Sequence, residues 1–231
     1  MKPLHSSIAS AVAVLLGIAA APQMAAQELA VTRVVETRIH AGGGRAGRMI
    51  ARGADDEVGQ ATSDRGLRWD LVWSDEFDTP GLPDSAKWTY ETGGNGWGNR
   101  ELQFYTNGRP ENARVENGLL IVEARREDFQ GRPYTSARLN SRAAWLYSRI
   151  EVRAKLPRGR GTWPAIWMLP VRGVYAKGGW PDNGEIDVME HVGFDPGVVH
   201  ATVHTGAYNH VQRTQRGAET IVADAQDVFH V

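Results

Sequence analysis

The feature that most constrains the fold is an alternation of polar and apolar side chains with a period of two residues. Over residues 147–156, tyrosine and charged side chains occupy the odd positions, and apolar side chains occupy the even positions except at Ser148. Residues 198–204 repeat the pattern. Period two is the repeat of a strand, whereas a helix would place apolar residues at i, i+3, i+4 and i+7, which no long stretch does. With turn signals such as Asn117-Gly118 between the runs, the alternation predicts an all-β sandwich.

Aromatic residues divide the chain in two. All 8 Trp, 6 Tyr and 5 Phe lie at or after Trp69, and the first 66 residues have none. Residues 27–66 carry six Arg, six acidic residues and seven Gly. Such a segment buries too little apolar surface to offset its chain entropy, so we expect a linker or disordered segment, with a short strand at most near Val34-Val35.

Residues 1–26 have the composition of a secretory leader. Lys2 and His5 precede an apolar run over 8–21, and small residues follow around Ala26. A basic start, a short apolar run and an A-x-A-like exit predict a signal peptide cleaved near Ala26, and hence a secreted protein, extracellular or periplasmic. The alternative is a membrane anchor, but the run is shorter than the ~20 residues a spanning helix needs.

Charge and cysteine content exclude several classes of protein. The chain has 26 basic and 27 acidic residues, a formal net charge of −1, and no cysteine. This balance excludes a strongly basic nucleic-acid binder and an acidic disordered tail. The absence of cysteine excludes a disulfide scaffold, a thiolate zinc site and a cysteine nucleophile.

Residues 184–191 (GEIDVMEH) hold the most informative motif. In a regular strand Glu185 and Asp187 share one face, and Ile186 and Val188 face the core. Glu190 has the opposite parity, but a β-bulge, most simply at Met189, would bring it onto the same face. The motif therefore predicts three carboxylates on one face of a bulged strand.

Three crowded carboxylates are costly for stability, so they point to chemistry. Glycoside cleavage needs one carboxylate at the anomeric carbon and a protonated partner that donates to the leaving oxygen. Residues two apart in a strand lie ~6.6 Å apart, whereas a retaining pair requires ~5–5.5 Å, so the motif implies a strongly curved, concave sheet. On spacing alone, an edge strand with solvent-facing acids or a divalent-cation site remains open.

Tryptophans flank this motif. Trp163 and Trp167 lie four residues apart, and Trp180 precedes Glu185 by five residues. Rigid indole rings bind the C–H faces of sugars at low entropy cost. Burial in the core is the competing interpretation. The flanking Gly and Pro favour Trp163 and Trp180 as the rings that face a cleft.

These segments resemble glycoside hydrolase family 16, in its laminarinase-like branch of endo-β-1,3-glucanases. The resemblance rests on the acidic motif and on residues 73–77 (WSDEF), 93–106 (GGNGWGNRELQFYT), 135–139 (TSARL) and 163–170 (WPAIWMLP). It covers residues 67–231. It implies a concanavalin-like jelly-roll sandwich with a concave cleft, and retaining hydrolysis of internal β-1,3 or β-1,3/1,4 linkages of glucans.

The resemblance also implies roles for individual residues. Glu185 resembles the nucleophile, Glu190 the acid/base, and Asp187 the residue hydrogen-bonded between them. The implied sugar platforms are Trp163, Trp167 and Trp180, and the weaker candidates for hydroxyl contacts are Asn95, Arg138 and His204.

No cofactor is implied for catalysis, although family members often bind a structural calcium. Glu76 is the first candidate for that site, and an ordinary surface acid is the alternative. His200 and His204 do not suit one ion, because strand residues four apart are separated by ~13 Å. The expected partner is a β-glucan, with no nucleic acid and no membrane after leader removal, and we expect a monomer.

The resemblance implies a fold that continues past Val231. Residues 67–231 number 165, which is short for this sandwich, so we expect a partial glycoside hydrolase domain, incomplete at its C-terminus, with unpaired edges and impaired turnover. Two functional alternatives stay open. One is cleavage of another β-linked polysaccharide, such as an algal galactan; the other is a non-catalytic β-glucan-binding protein, against which the three retained carboxylates argue.

Overall fold

The computed structural model describes residues 10–18, 25–36, 70–146, 148–171 and 179–231. No helix occurs within these ranges, and hence none that could span a membrane. The strands are β1 (Ser10–Ile18), β2 (Ala25–Glu36), β3 (Asp70–Asp75), β4 (Trp88–Glu91), β5 (Gln103–Tyr105), β6 (Ala113–Glu116), β7 (Leu119–Phe129), β8 (Arg132–Ser136), β9 (Arg138–Ser141), β10 (Ser148–Lys155), β11 (Thr162–Pro170), β12 (Glu185–Glu190), β13 (Val198–His204) and β14 (Arg216–Ile221).

The strands form two sheets. The first has the order β14-β13-β12-β11-β1-β9-β4. The second has the order β10-β2-β7-β8-β5, with β3 also paired to β2 and β6 to β7. Neighbouring strands are antiparallel except for the parallel pair β5 and β8. The expected all-β architecture, a jelly-roll sandwich, is confirmed.

Two local patterns form the structure expected of them. The alternating residues 198–204 are strand β13, and most of the run 147–156 is β10. Asn117 and Gly118 turn the chain between β6 and β7 with φ angles of 54° and 74°. Both lie in the left-handed region, which asparagine and glycine adopt more readily than other residues, so this dipeptide makes a tight hairpin.

Two strands lie in the N-terminal segment. β1 pairs with β9 and β11 inside the first sheet, and β2 pairs with β3, β7 and β10. Residues 27–36 therefore form a strand where a linker was expected, because the β-branched run around Val34-Val35 finds neighbouring backbones with which to pair. Residues 37–69 lie outside the described residues, and the predicted boundaries at 26 and 66 stay predictions.

The core between the sheets is built on aromatic and aliphatic side chains. Trp73 packs edge-to-face on both Trp88 and Trp145, with ring centroids 5.5 and 5.4 Å apart. Leu120 and Leu139 are fully buried in the same cluster. This cluster supports the middle of the first sheet from behind, opposite the face that carries the acidic motif.

The back of the first sheet is less covered towards its β14 edge than the sequence suggests. Ile186 and Val188, expected to face the core, are 45% and 38% exposed, and Val203 on β13 is 41% exposed. These side chains do point away from the three acids. Within the described residues, however, the second sheet does not shield them from solvent.

We expect Asp75→Ala to destabilise the fold. Asp75 is buried and accepts hydrogen bonds from the Trp88 indole at 2.7 Å and from Lys87 at 3.1 Å. Its removal leaves the buried indole N–H without its acceptor, at a cost of about 1–3 kcal/mol. Urea unfolding followed by tryptophan fluorescence measures the loss. The exposed neighbour Asp78, changed to Ala, is the control, and equal stability of the two variants would contradict the prediction.

Candidate active site

A β-bulge in β12 places three carboxyl groups on one face of the sheet. Asp187 pairs with Thr202 of β13, and Glu190 pairs with His200, so three steps along β12 match two along its neighbour. The register with β11 shifts at the same point. The bulge lies between Asp187 and Glu190 as predicted and gives Glu190 the same facing as Glu185. Its extra residue is not Met189, which pairs with Ile166 of β11, but Val188, which has no partner in that register.

The three acids lie on the floor of an open cleft with a volume of about 710 Å³. Alternate residues of β11 and β13 face into it, as the period of two requires. The lining side chains include Trp97, Glu101, Arg138, Trp163, Trp167, Trp180, Glu185, Asp187, Glu190, Thr202, His204, His210 and Gln215. The cleft therefore joins an acidic centre to aromatic walls.

Each acid has its own polar partner. The Trp180 indole N–H donates to Glu185, and the Trp163 indole N–H donates to Glu190 at 2.9 Å. The third acid, Asp187, is 5% exposed, and its Oδ2 lies 3.3 Å from His204 Nε2. The aromatic residues thus hold the carboxyl groups as well as line the cleft.

Burial raises the pKa of all three carboxyl groups. For Asp187 the pKa rises to about 8, because the charges of Glu185 and Glu190 add to the effect of burial. Asp187 also donates a hydrogen bond to Glu185, which, together with the Trp180 indole, opposes the rise at Glu185. The Trp163 indole likewise opposes the rise in the pKa of Glu190. At neutral pH Asp187 therefore carries a proton that stabilises the Glu185 carboxylate.

The three predicted platform tryptophans all line the cleft, in different ways. Trp163 is half-buried and Trp180 is 39% exposed, so part of each ring is accessible to a ligand. Trp167 is 6% exposed and packs against Arg138, whose guanidinium lies 4.5 Å from its ring centroid. Trp97 covers the other side of Arg138 at 4.6 Å. The cation is thus held between two indoles and also bonds to Glu91.

Asn95 lies apart from the other candidates. Its side chain is exposed and is not part of the cleft wall. Its Oδ1 accepts the backbone N–H of Trp97 at 3.0 Å, which shapes the loop that presents Trp97. A direct hydroxyl contact by Asn95 stays a prediction.

The described residues give no support to a metal site. They contain no group of three or more His, Asp or Glu side chains that could hold an ion. Glu76, the predicted calcium ligand, is half-buried beside Asp75, which is engaged by Lys87 and Trp88. On the cleft face, His204 contacts Asp187, whereas His200 lies 3.6 Å from Glu219. The histidine pair therefore does not converge on one ion.

Several cleft residues were not among the sequence candidates, and Glu101 and His210 are two of them. Glu101 is 3% exposed and accepts hydrogen bonds from Tyr105 at 2.7 Å and Gln103 at 2.5 Å. His210 comes from the loop between β13 and β14 and packs on Trp180. Neither residue lies on a periodic strand pattern. Loops that fold over the cleft bring Glu101 and His210 into its wall, and no local sequence pattern indicates this position.

Comparison with known proteins shows similarity to glycoside hydrolases. A model of the family described as Glycosyl hydrolases family 16 matches residues 96–231. The chain is 62% identical over 176 residues to a β-glucanase of Rhodothermus marinus, covering 75% of this chain and 62% of that protein.

Two solved structures share the fold. The laminarinase from Rhodothermus marinus matches with a TM-score of 0.70 and 65% identity, over 71% of this chain and 66% of that one. A mutant of SCLam, a non-specific endo-β-1,3(4)-glucanase that presents 1,3-β-D-cellobiosyl-glucose at its active site, matches with a TM-score of 0.65 and 51% identity. That match covers 69% of this chain and 64% of the SCLam chain.

The chain thus spans a little under two thirds of each of these relatives. The family match covers the acidic strand and both walls of the cleft, and the fold and the carboxyl arrangement agree with it. The chain belongs to glycoside hydrolase family 16.

Proposed function

We propose that this chain is the catalytic region of a secreted, retaining endo-glucanase that cleaves internal β-1,3, or β-1,3/1,4, linkages of β-glucans. The observation that carries the proposal is the bulged strand. The bulge points Glu185 and Glu190 into the same cleft, with a protonated Asp187 between them. Each glutamate there accepts a hydrogen bond from a tryptophan N–H. The likeness to glucanases in sequence and structure supports the glucan as the substrate.

In the first step Glu185 is the nucleophile. Two donors, the Trp180 indole and the Asp187 carboxyl, favour its ionised form. The carboxylate attacks the anomeric carbon, and the glycosidic C–O bond breaks as Glu190 gives its proton to the leaving oxygen. Burial keeps the pKa of Glu190 raised, which favours the protonated form this step needs.

In the second step Glu190 acts as the base. It accepts a proton from a water molecule, whose oxygen attacks the anomeric carbon of the glycosyl ester and releases Glu185 as a carboxylate. Two displacements restore the original anomeric configuration. The chemistry uses two carboxyl groups and water.

The shape of the cleft supports action within a chain. It is open, and aromatic side chains line it around the acids: Trp163 and Trp180 bond to the two glutamates, and Trp167 pairs with Asp187 across the strands. A polymer can therefore lie across the site with sugars on both sides of the cleaved bond. The non-specific endo-β-1,3(4)-glucanase among the relatives supports tolerance of both linkages.

We expect Glu185→Gln to abolish hydrolysis of a β-1,3-glucan, by at least about a thousandfold in kcat, because the amide cannot form the glycosyl ester. Glu190→Gln should lose polysaccharide hydrolysis but keep a burst of leaving-group release from an aryl β-glucoside, because the first step then needs no acid whereas the second still lacks its base. Reducing-sugar and chromophore assays on purified protein measure both. A panel of β-1,3-glucan, mixed-linkage glucan and an algal galactan tests the substrate class.

Thermal unfolding of the two variants is the control, and both should unfold close to the wild type. Retained hydrolysis by Glu185→Gln would contradict the nucleophile assignment. Binding of β-1,3-glucan without any sugar release by the wild type would favour a glucan-binding protein instead. Galactan cleavage in place of glucan cleavage would overturn the substrate.

We expect Asp187→Asn to stabilise the fold at alkaline pH. An unfolded aspartic acid loses its proton near pH ~3.9, whereas Asp187 in the fold holds it to about pH 8. The folded state binds the extra proton between these values, so the free energy of unfolding falls as pH rises from about 4 to about 8. Asparagine cannot ionise, so the variant should exceed the wild type at pH 8 by at least about 1 kcal/mol.

Urea titrations at pH 4, 6 and 8 measure this difference, which should vanish towards pH 4. The exposed Asp128, changed to Asn, serves as the matched control and should follow the wild type. Parallel pH dependence of wild type and Asp187→Asn would show that the carboxyl at 187 is not held protonated.

We expect export to remove residues 1–26. The basic start and apolar run of the leader support secretion. Expression with the native leader in a Gram-negative host should yield exported protein that begins at Gln27 by N-terminal sequencing. Leu15→Arg, which breaks the apolar run, should block export. Cleavage there removes β1, so exported protein that retains residues 10–18 would contradict the leader and assign β1 to the mature fold.

A further inference from the structure

The loop between β13 and β14, residues 205–215, brings a second histidine onto the acidic centre. We propose that His210 is a positioning residue for glucan hydrolysis, which packs against both Trp180 and His204 and so fixes the side chains that hold Glu185 and Asp187. This inference rests on the proposed function and assigns a role to a residue outside the carboxyl triad.

The ring contacts carry the inference. The His210 imidazole lies over the Trp180 indole with centroids 4.8 Å apart and planes 33° from parallel. Its edge meets the His204 ring at 5.4 Å and 88°, and Trp180 and His204 themselves lie 5.7 Å apart. The three rings form one cluster, in which each touches the other two. Among the described residues His210 has no hydrogen bond or ion pair with a carboxyl group, and its charge acts on Glu190 through space.

The cluster acts on two acids through their partners. Trp180 donates to Glu185, and its indole is 39% exposed, so little else restricts its orientation on the solvent side. His204 Nε2 lies 3.3 Å from Asp187. By packing on Trp180, His210 therefore keeps the indole N–H directed at Glu185. By packing on His204, it also supports the side chain that contacts Asp187.

The loop is built to hold His210 in one position. Its neighbour Asn209 is 1% exposed, and its side-chain amide donates to the backbone oxygens of Thr205 at 3.1 Å and Gly206 at 3.2 Å. Asn209 Oδ1 accepts from the backbone of Gln212 at 3.0 Å, and Thr214 closes the loop through Asn209. A buried, fully bonded amide thus precedes the exposed imidazole and fixes the backbone that carries it.

The charges around His210 come from several elements. Glu190 on β12 faces it, as does His204 on β13, while His200 is a further neighbour of Glu190 and Asp182 lies against Gly206 at the start of the loop. Burial raises the pKa of Glu190, and the Trp163 hydrogen bond and the two histidines His200 and His210 oppose that rise. Protonated His210 therefore favours loss of the acid/base proton, in addition to its packing role.

The test separates the ring from the charge. His210→Ala removes both, and we expect kcat/KM on β-1,3-glucan to fall at least about tenfold, mainly in kcat, because Glu185 loses its ordered donor. His210→Phe restores a flat ring and should return kcat to within about threefold of the wild type. Since this variant lacks the cation, Glu190 keeps its proton to higher pH, and the alkaline limb of kcat/KM should move up by roughly half a pH unit, the size expected of one charge in a solvated cleft.

Two further variants define the role. Asn209→Ala, which frees the loop, should reproduce the loss seen in His210→Ala. Gln212→Ala, an exposed loop residue outside the cleft wall, is the matched control and should behave as the wild type. Unchanged kcat/KM in His210→Ala would overturn the proposal, and so would a loss that His210→Phe fails to restore.

A readout independent of turnover keeps this inference distinct from the proposed function. The His210 ring packs on the Trp180 indole, so His210→Ala should change the fluorescence emission spectrum of the wild type, and the same substitution should change nothing when made together with Trp180→Phe. If the wild type cleaves no polysaccharide, the proposed function fails, and this comparison of spectra still tests the contact. An emission spectrum unchanged by His210→Ala would show that the rings do not pack in solution.

Discussion

Three carboxyl groups on one narrow strip of sheet have to be kept from repelling one another, and most of the site follows from that constraint. Glu185, Asp187 and Glu190 are half-buried or buried, so solvent screens their charges poorly. A proton on Asp187 and an indole N–H donor at each glutamate reduce this repulsion. Without these groups, like charges would repel one another in a poorly screened part of the strand.

The other charged groups that line the cleft also have bonding partners. Arg138 bonds to Glu91 and lies between two indole rings, and its charge also opposes the rise in the pKa of Glu185. Further along, Glu101 is satisfied by neutral donors from Tyr105 and Gln103. The cleft thus combines aromatic surface with polar groups that already have partners, which is suited to a neutral ligand covered with hydroxyl groups rather than to a charged one.

Sequence patterns predicted the strands and the facing of the acids because both depend on local parity. The period of two located β13 to the residue, and the misplaced parity of Glu190 predicted the bulge. Contacts made by loops could not be predicted in this way: Asn95 shapes its own turn, and His210 reaches Trp180 from a separate segment. Composition alone also missed β2, whose partners are remote in sequence. The exposure of Ile186 and Val188 likewise depends on what lies behind the sheet.

The bulge in β12 has a consequence for how this strand can vary in evolution. Beyond it, Glu190 points into the cleft, and the next residue, His191, is fully buried, with neither ring nitrogen hydrogen-bonded within the described chain. Deleting one residue between Asp187 and Glu190 would exchange the two, sending the imidazole into the cleft and the carboxylate inside. A point substitution at the bulge alters one side chain, whereas a change of length there reverses the facing of every strand residue that follows. The length of this segment should therefore be under stronger selection than the identity of the inserted residue.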